Sequence, residues 1–196
     1  TAPGGGVHAL SNHEYHDGTI HPQGYLSLAR FELDHLLPIW TYSFGSTLIE
    51  KRIWMVHGED TTVVSYRLLT EGELVNLMVR PLCALRHFHY HQHAPRTIEL
   101  SAANKTAHVY LPDRSLQAFI TAPSGTFQSD PAWYWHFAHR EERTRGLDTN
   151  EDLYAPGTFT LPLSSEAPTY LILSATAQLP SMLEQSYAKE HHRRSS

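Results

Sequence analysis

Four histidines stand at every second position within residues 80–93, which read Arg-Pro-Leu-Cys-Ala-Leu-Arg-His-Phe-His-Tyr-His-Gln-His. If the chain is extended there, the period of two places His87, His89, His91 and His93 on one face and Phe88 and Tyr90 on the other. Neutral imidazole is a common metal ligand, and two on one strand face can reach the same ion. Glu59, Asp60 or His21 could complete such a site. Arg86, just before the run, offers a fork of donors suited to a carboxylate or a hydroxyl pair. His-x-His also occurs readily on exposed strands, and no partner motif of ligand spacing accompanies it. The solvated reading is therefore preferred, with His87, His89 and His91 as the metal candidates and no cofactor required.

Other chemistry has less support. Cys83 lies in an apolar run with Leu82, Ala84 and Leu85 and reads as a small buried hydrophobe, not a thiolate. No Gly-x-Ser-x-Gly elbow and no Gly-rich phosphate loop occurs. Sugar recognition needs aromatic faces beside planar polar groups, which Trp133, Tyr134 and Trp135 with Arg86 and His89 could supply. The alternation of Trp133 and Trp135 with Tyr134 and His136 turns both indoles toward a core, and that reading is preferred for them. The segment 138–156 differs: it carries eight charges from Arg140 to Asp152 around Gly146. Connections beyond about 12–15 residues are uncommon in compact domains and tend to be functional.

The elements that must position these residues are short strands. Residues 1–24 are turn-rich and predict a loop with one short strand at most. Residues 39–44 and 47–56 read as strands around a Gly45-Ser46 turn, the second covered on both sides. In 63–68 and 75–80 apolar and mixed positions alternate around Glu71-Gly72, which predicts an antiparallel hairpin with one face on the core. Pro81 ends regular pairing. Further strands are expected at 97–100, 108–111, 115–121, 133–137, 158–163 and 169–176. Many short strands at this spacing point to an antiparallel β-sandwich or barrel, and the absence of βαβ alternation argues against a nucleotide-binding parallel sheet. Near the end, Ser181 and Glu184 have capping-box spacing ahead of a helix. With Met182, Leu183 and Tyr187 as its few apolar positions, that helix has little to pack on and reads as a linker.

Composition bounds the function. At 196 residues a single domain with a proper core is the default. A formal charge of -5, with no basic cluster before the last few residues, argues against nucleic acid. One cysteine allows no internal disulfide and suits a reducing, cytoplasmic setting. No apolar run approaches the roughly 18 residues of a membrane helix. The start at Thr1, without methionine, reads as a fragment or processed terminus.

Several polar motifs recur in order: His21-Pro22-Gln23-Gly24-Tyr25; Gly58 to Val64; Arg80-Pro81-Leu82 with Arg86 and His89; Arg145-Gly146-Leu147-Asp148; and Glu151-Asp152-Leu153 with Pro156-Gly157. Together they resemble the N-terminal domain of bacterial and archaeal glycogen debranching enzymes of the amylo-α-1,6-glucosidase type, from about Leu10 to the closing helix. His87 departs from that pattern, since an aspartate is expected after Arg86. The resemblance implies an all-β supersandwich at 1–179 and the start of an interdomain linker helix at 180–196, with the family's opening segment expected to be missing before Leu10. It also implies a separate (α/α)6 barrel carrying the two carboxylates that hydrolyse the α-1,6 branch linkage. The expected partners are that barrel and an α-glucan (glycogen or a malto-oligosaccharide). The expected site is Arg86, His87, His89, Arg145, Asp148, Glu151 and Asp152, at the substrate or the domain interface, with no catalytic residue in this chain. The rival readings are a free-standing carbohydrate-binding module and a His-rich, cupin-like metal protein.

Overall fold

The computed structural model describes residues 6–72, 75–177 and 183–195. Its strands run in order as β1 (Asn12–Glu14), β2 (Ile20–Gln23), β3 (Leu28–Asp34), β4 (Leu37–Phe44), β5 (Thr47–Met55), β6 (Thr61–Leu68), β7 (Val75–Val79), β8 (Glu99–Ala103), β9 (Thr106–Tyr110), β10 (Gln117–Thr121), β11 (Thr126–Ala138), β12 (Asn150–Leu163) and β13 (Thr169–Ser174). Two helices, α1 (Arg140–Thr144) and α2 (Leu183–Ser195), interrupt and close the series. Strands β3-β4-β5-β6-β13-β10-β9-β8 form one eight-stranded sheet, β11-β12-β7 a second, and β1-β2 a small ribbon. Every pairing is antiparallel. The all-β sandwich expected from the strand spacing is the fold observed.

The sandwich closes because both sheets have an apolar face. Ile49, Val64, Tyr66, Val109, Ile120 and Leu171 from the large sheet bury against Phe159, Leu161, Leu163 and Tyr154 of β12. The outer face of the large sheet is apolar at its centre as well. Leu37, Trp54, Val63 and Ile172 form a second cluster there, which Leu183 and Tyr187 of α2 cover. β5 and β6 are therefore buried on two sides, as the imperfect alternation of 47–56 predicts.

Four expectations change. The 63–68 and 75–80 segments are strands, but they do not pair: β6 lies between β5 and β13, whereas β7 joins β12 in the other sheet. Strict alternation looks the same whether two strands are neighbours in one sheet or face each other across the core. The opening region contains two short strands, and β3 follows where none is expected, its residues mostly exposed at the sheet edge. Of the two indoles, Trp133 packs edge-on against Tyr154 at 5.5 Å, but Trp135 is 47% exposed. Trp135 sits where the register of β11 shifts, between Tyr134 and Phe137, beside His136 at φ 64°. A bulge of this kind re-aims the side chains around it.

Helix α2 has more to pack on than its sequence suggests. Trp54 Nε1 donates to Ser186 Oγ at 2.9 Å, and Arg52 Nη1 donates to the Tyr187 hydroxyl at 3.0 Å. Glu190 is 3% exposed yet charged, because Arg193 and Arg194 grip it and hold its carboxyl down to about 2. Ser181 and the expected boundary at 179/180 lie outside the described residues. Among the described residues no helix is long and apolar enough to cross a membrane.

One glycine is required by close approach. Gly157 has φ +152°, and a Cβ added there would lie 2.2 Å from the Gln128 carbonyl oxygen and 2.9 Å from the Asp130 nitrogen. Both contacts are backbone of the paired strand, so nothing flexible can move aside. Gly157→Ala is expected to lose about 3 kcal/mol in urea unfolding. A loss below about 1 kcal/mol would show that the β11–β12 pairing does not need this approach.

Candidate functional site

The histidine stretch is not a strand. Cys83 makes a single bridge to Tyr154 of β12, its N–H donating to the Tyr154 carbonyl at 2.7 Å and its carbonyl accepting the Tyr154 N–H at 3.0 Å. The chain then turns, with the Tyr90 N–H reaching the His87 carbonyl at 3.0 Å. A turn abolishes the period of two, so the four imidazoles share no face. His87 and His89 join Phe88 and Tyr90 in an exposed tip, with the Phe88 and His89 rings 3.9 Å apart. The His91 ring lies tilted at 42° against His139 with centroids 4.9 Å apart, and His93 Nε2 meets Asp148 Oδ2 at 3.0 Å. Among the described residues, His87, His89 and His91 do not converge on one ion. Cys83 is buried as expected, and that burial pushes its thiol up to about 12.

The expected charged connection at 138–156 is also reorganised. It comprises the one-turn helix α1, a turn through Gly146 at φ 71°, and the first residues of β12. A strand can begin with Glu151-Asp152 because both carboxylates, 2% and 7% exposed, are fully partnered. Glu151 receives Arg86 through Nε and, at 3.1 Å, through Nη2. It also accepts the Gln92 N–H at 3.1 Å and meets His139 Nε2 at 3.0 Å. Burial pushes the Glu151 carboxyl up, but the bonds from Arg86, Gln92 and His139 outweigh it and hold the group below its ordinary value. Asp152 accepts the backbone N–H groups of His136 at 2.8 Å and Ala94 at 3.0 Å.

Gln92 completes this scaffold and carries no signal in the sequence. Its carboxamide oxygen accepts the Leu85 N–H at 3.0 Å, and its nitrogen donates to the carbonyls of Cys83 at 3.1 Å and Asp152 at 3.0 Å. A glutamine between two histidines looks solvated, yet this one is 2% exposed. Its partners Cys83 and Asp152 lie 9 and 60 residues away, so local pattern could not find it. His139 is missed for the same reason.

The seven expected site residues thus divide. Arg86, Glu151 and Asp152 come together as a buried clamp, and Asp148 sits beside it, bonded to His93. His87 and His89 stand on the exposed tip. Arg145 is separate, among the described residues pairing with Glu142 at 3.0 Å, and is largely exposed. Away from the clamp, a cavity of about 520 Å³ opens between β4–β5 and β7, lined by Tyr42, Lys51, Tyr134, His13 and His21 among others. Burial lowers the Lys51 ammonium and the His13 imidazole below their ordinary values.

The clamp has a pH signature. A carboxyl held below its unfolded value near 4.5 contributes stability above that pH, and loses it as the pH falls through the folded value. Glu151→Gln leaves Arg86 without its charged partner and is expected to cost about 3 kcal/mol at neutral pH. The variant should also show a shallower acid destabilisation than the parent below about pH 4.5. Parallel stability curves for the two proteins through that range would contradict the ion pair.

No curated protein matches the chain at a significant level. The family model for the N-terminal region of glycogen debranching enzymes matches residues 2–170. That span includes the clamp, its loop and the sandwich as far as the start of β13, and the chain therefore belongs to the family of glycogen debranching enzyme N-terminal domains.

Proposed function

We propose that this domain supports α-1,6 debranching from outside the catalytic centre, by presenting the tip at 87–90 and the turn at 145–148 to the glucan or to the catalytic barrel. The observation that carries this reading is the division of roles around β12. Arg86, Gln92, Glu151 and Asp152 direct their hydrogen bonds inward, and the residues they position are left outward. Phe88 is 75% exposed and Tyr90 69% exposed. Aromatic rings held on a rigid base suit stacking on a sugar or packing against another domain. A carboxylate that is buried, ionised and saturated suits a scaffold. Glycoside hydrolysis instead needs one carboxyl kept protonated as the acid, and on this reading both catalytic groups belong to the barrel.

In the polypeptide that joins this domain to the barrel, Asp148→Asn and Phe88→Ala should each lower kcat/KM on a branched α-glucan, by about tenfold where the site is displaced. Arg145→Ala should act in the same direction. Unchanged kinetics in all three would reject the reading. A second reading, sugar binding by the domain itself, is favoured by the aromatic and basic lining of the 520 Å³ cavity. Calorimetric titration of the chain with a malto-oligosaccharide separates them. Binding lost in Tyr42→Ala supports the second reading, and no binding leaves the supporting role.

A further inference from the structure

Among the described residues, Asp34, His35 and His191 form a group of potential metal ligands outside the histidine stretch. The β3–β4 hairpin turns at His35 and Leu36, with φ 45° and 67°. Two-residue turns with positive φ at both positions are made at least strain by Asn-Gly, so His-Leu is a costly choice here. The turn brings His35 against His191 of α2, their rings 4.5 Å apart at 75°. Asp34 completes the group: its Oδ1 is 3.0 Å from His191 Nε2 and 3.9 Å from His35 Nε2. All three donor atoms lie within 4.8 Å of one another.

These distances fit an ion. Tetrahedral zinc with bonds of 2.0–2.1 Å holds its ligand atoms about 3.4 Å apart, between the two Asp34 distances. The remaining contraction is small enough for rotation of the exposed His35 ring to supply. A second layer is also in place. The Tyr187 hydroxyl donates to Asp34 Oδ2 at 3.4 Å while accepting from Arg52, which orients the carboxylate so that Oδ1 faces the two imidazoles. The side chains of His35, Asp34 and His191 are 47%, 39% and 34% exposed, leaving room for a water as fourth ligand.

We propose that Asp34, His35 and His191 bind a divalent first-row transition ion of the zinc class, clamping the C-terminal half of α2 to the β3–β4 hairpin. Two imidazoles and one carboxylate form a borderline donor set that takes zinc, nickel or copper and discriminates against magnesium and calcium. Asp34 and His191 are 157 residues apart, so the site exists only while the helix is docked. An ion bound there stabilises the docked state over the undocked one.

The test is calorimetric titration of the chelator-treated chain with zinc chloride, with thermal unfolding followed in parallel. The expected result is one zinc per chain and a zinc-dependent rise in Tm, with affinity reduced about tenfold or more in His35→Asn and in His191→Gln. Asparagine accepts positive φ, so His35→Asn keeps the turn and removes only the ligand. The absence of zinc binding would overturn the proposal. So would binding that persists in His35→Asn and His191→Gln but is lost in His93→Gln, because the ion would then sit on the 87–93 loop.

Discussion

A carboxylate taken out of water has to be paired, and around Glu151 that requirement organises a large part of the molecule. Its partners come from two separate segments: Arg86 and Gln92 from the loop after β7, and His139 from the corner between β11 and α1. Asp152 extends the same logic to the neutral N–H groups of His136 and Ala94. Neither carboxylate could be buried until loop, corner and strand were assembled together. The loop thereby acquires fixed ends, and its outward tip of two histidines, a phenylalanine and a tyrosine is held without regular secondary structure beneath it.

The large sheet imposes the second constraint. Its central strands have apolar residues on both faces, so two different layers must cover them. The three-stranded sheet covers one face through Phe159 and Leu161, and α2 covers the other through Leu183 and Tyr187. With few apolar residues of its own, the helix docks largely through polar groups. Ser186 accepts from Trp54, Tyr187 accepts from Arg52, and His191 meets Asp34. Contacts of this type are individually modest, which makes the docked position of α2 one that a bound ion could measurably favour.

In this domain, these two constraints place exposed surface at separate points. The clamp presents a polar and aromatic tip at one site, and α2 presents its exposed side over the outer face of the large sheet at another. The sandwich between them holds both positions through its two cores.

The all-β class, most strand positions, the buried character of Cys83 and the family membership were legible in the residues themselves. Alternation and turn signals are local properties, and the motifs from His21-Pro22 to Pro156-Gly157 lie in order along the chain. The pairing of β4 with β5 was legible in the Gly45-Ser46 turn, but the partners of β6 and β7 were not, because those strands alternate identically whether paired or facing. The role of 80–93 was misread for a related reason. Its period of two describes a strand, but Arg86 and Gln92 are drawn into Glu151 and Asp152 about sixty residues away, and that pull bends the segment into a turn. The same holds for Asp34, His35 and His191, which no motif spacing connects. Local hydrophobic pattern follows from the sequence alone, whereas the pairing of buried charges and of distant ligands is decided only when the tertiary structure brings them within hydrogen-bonding reach.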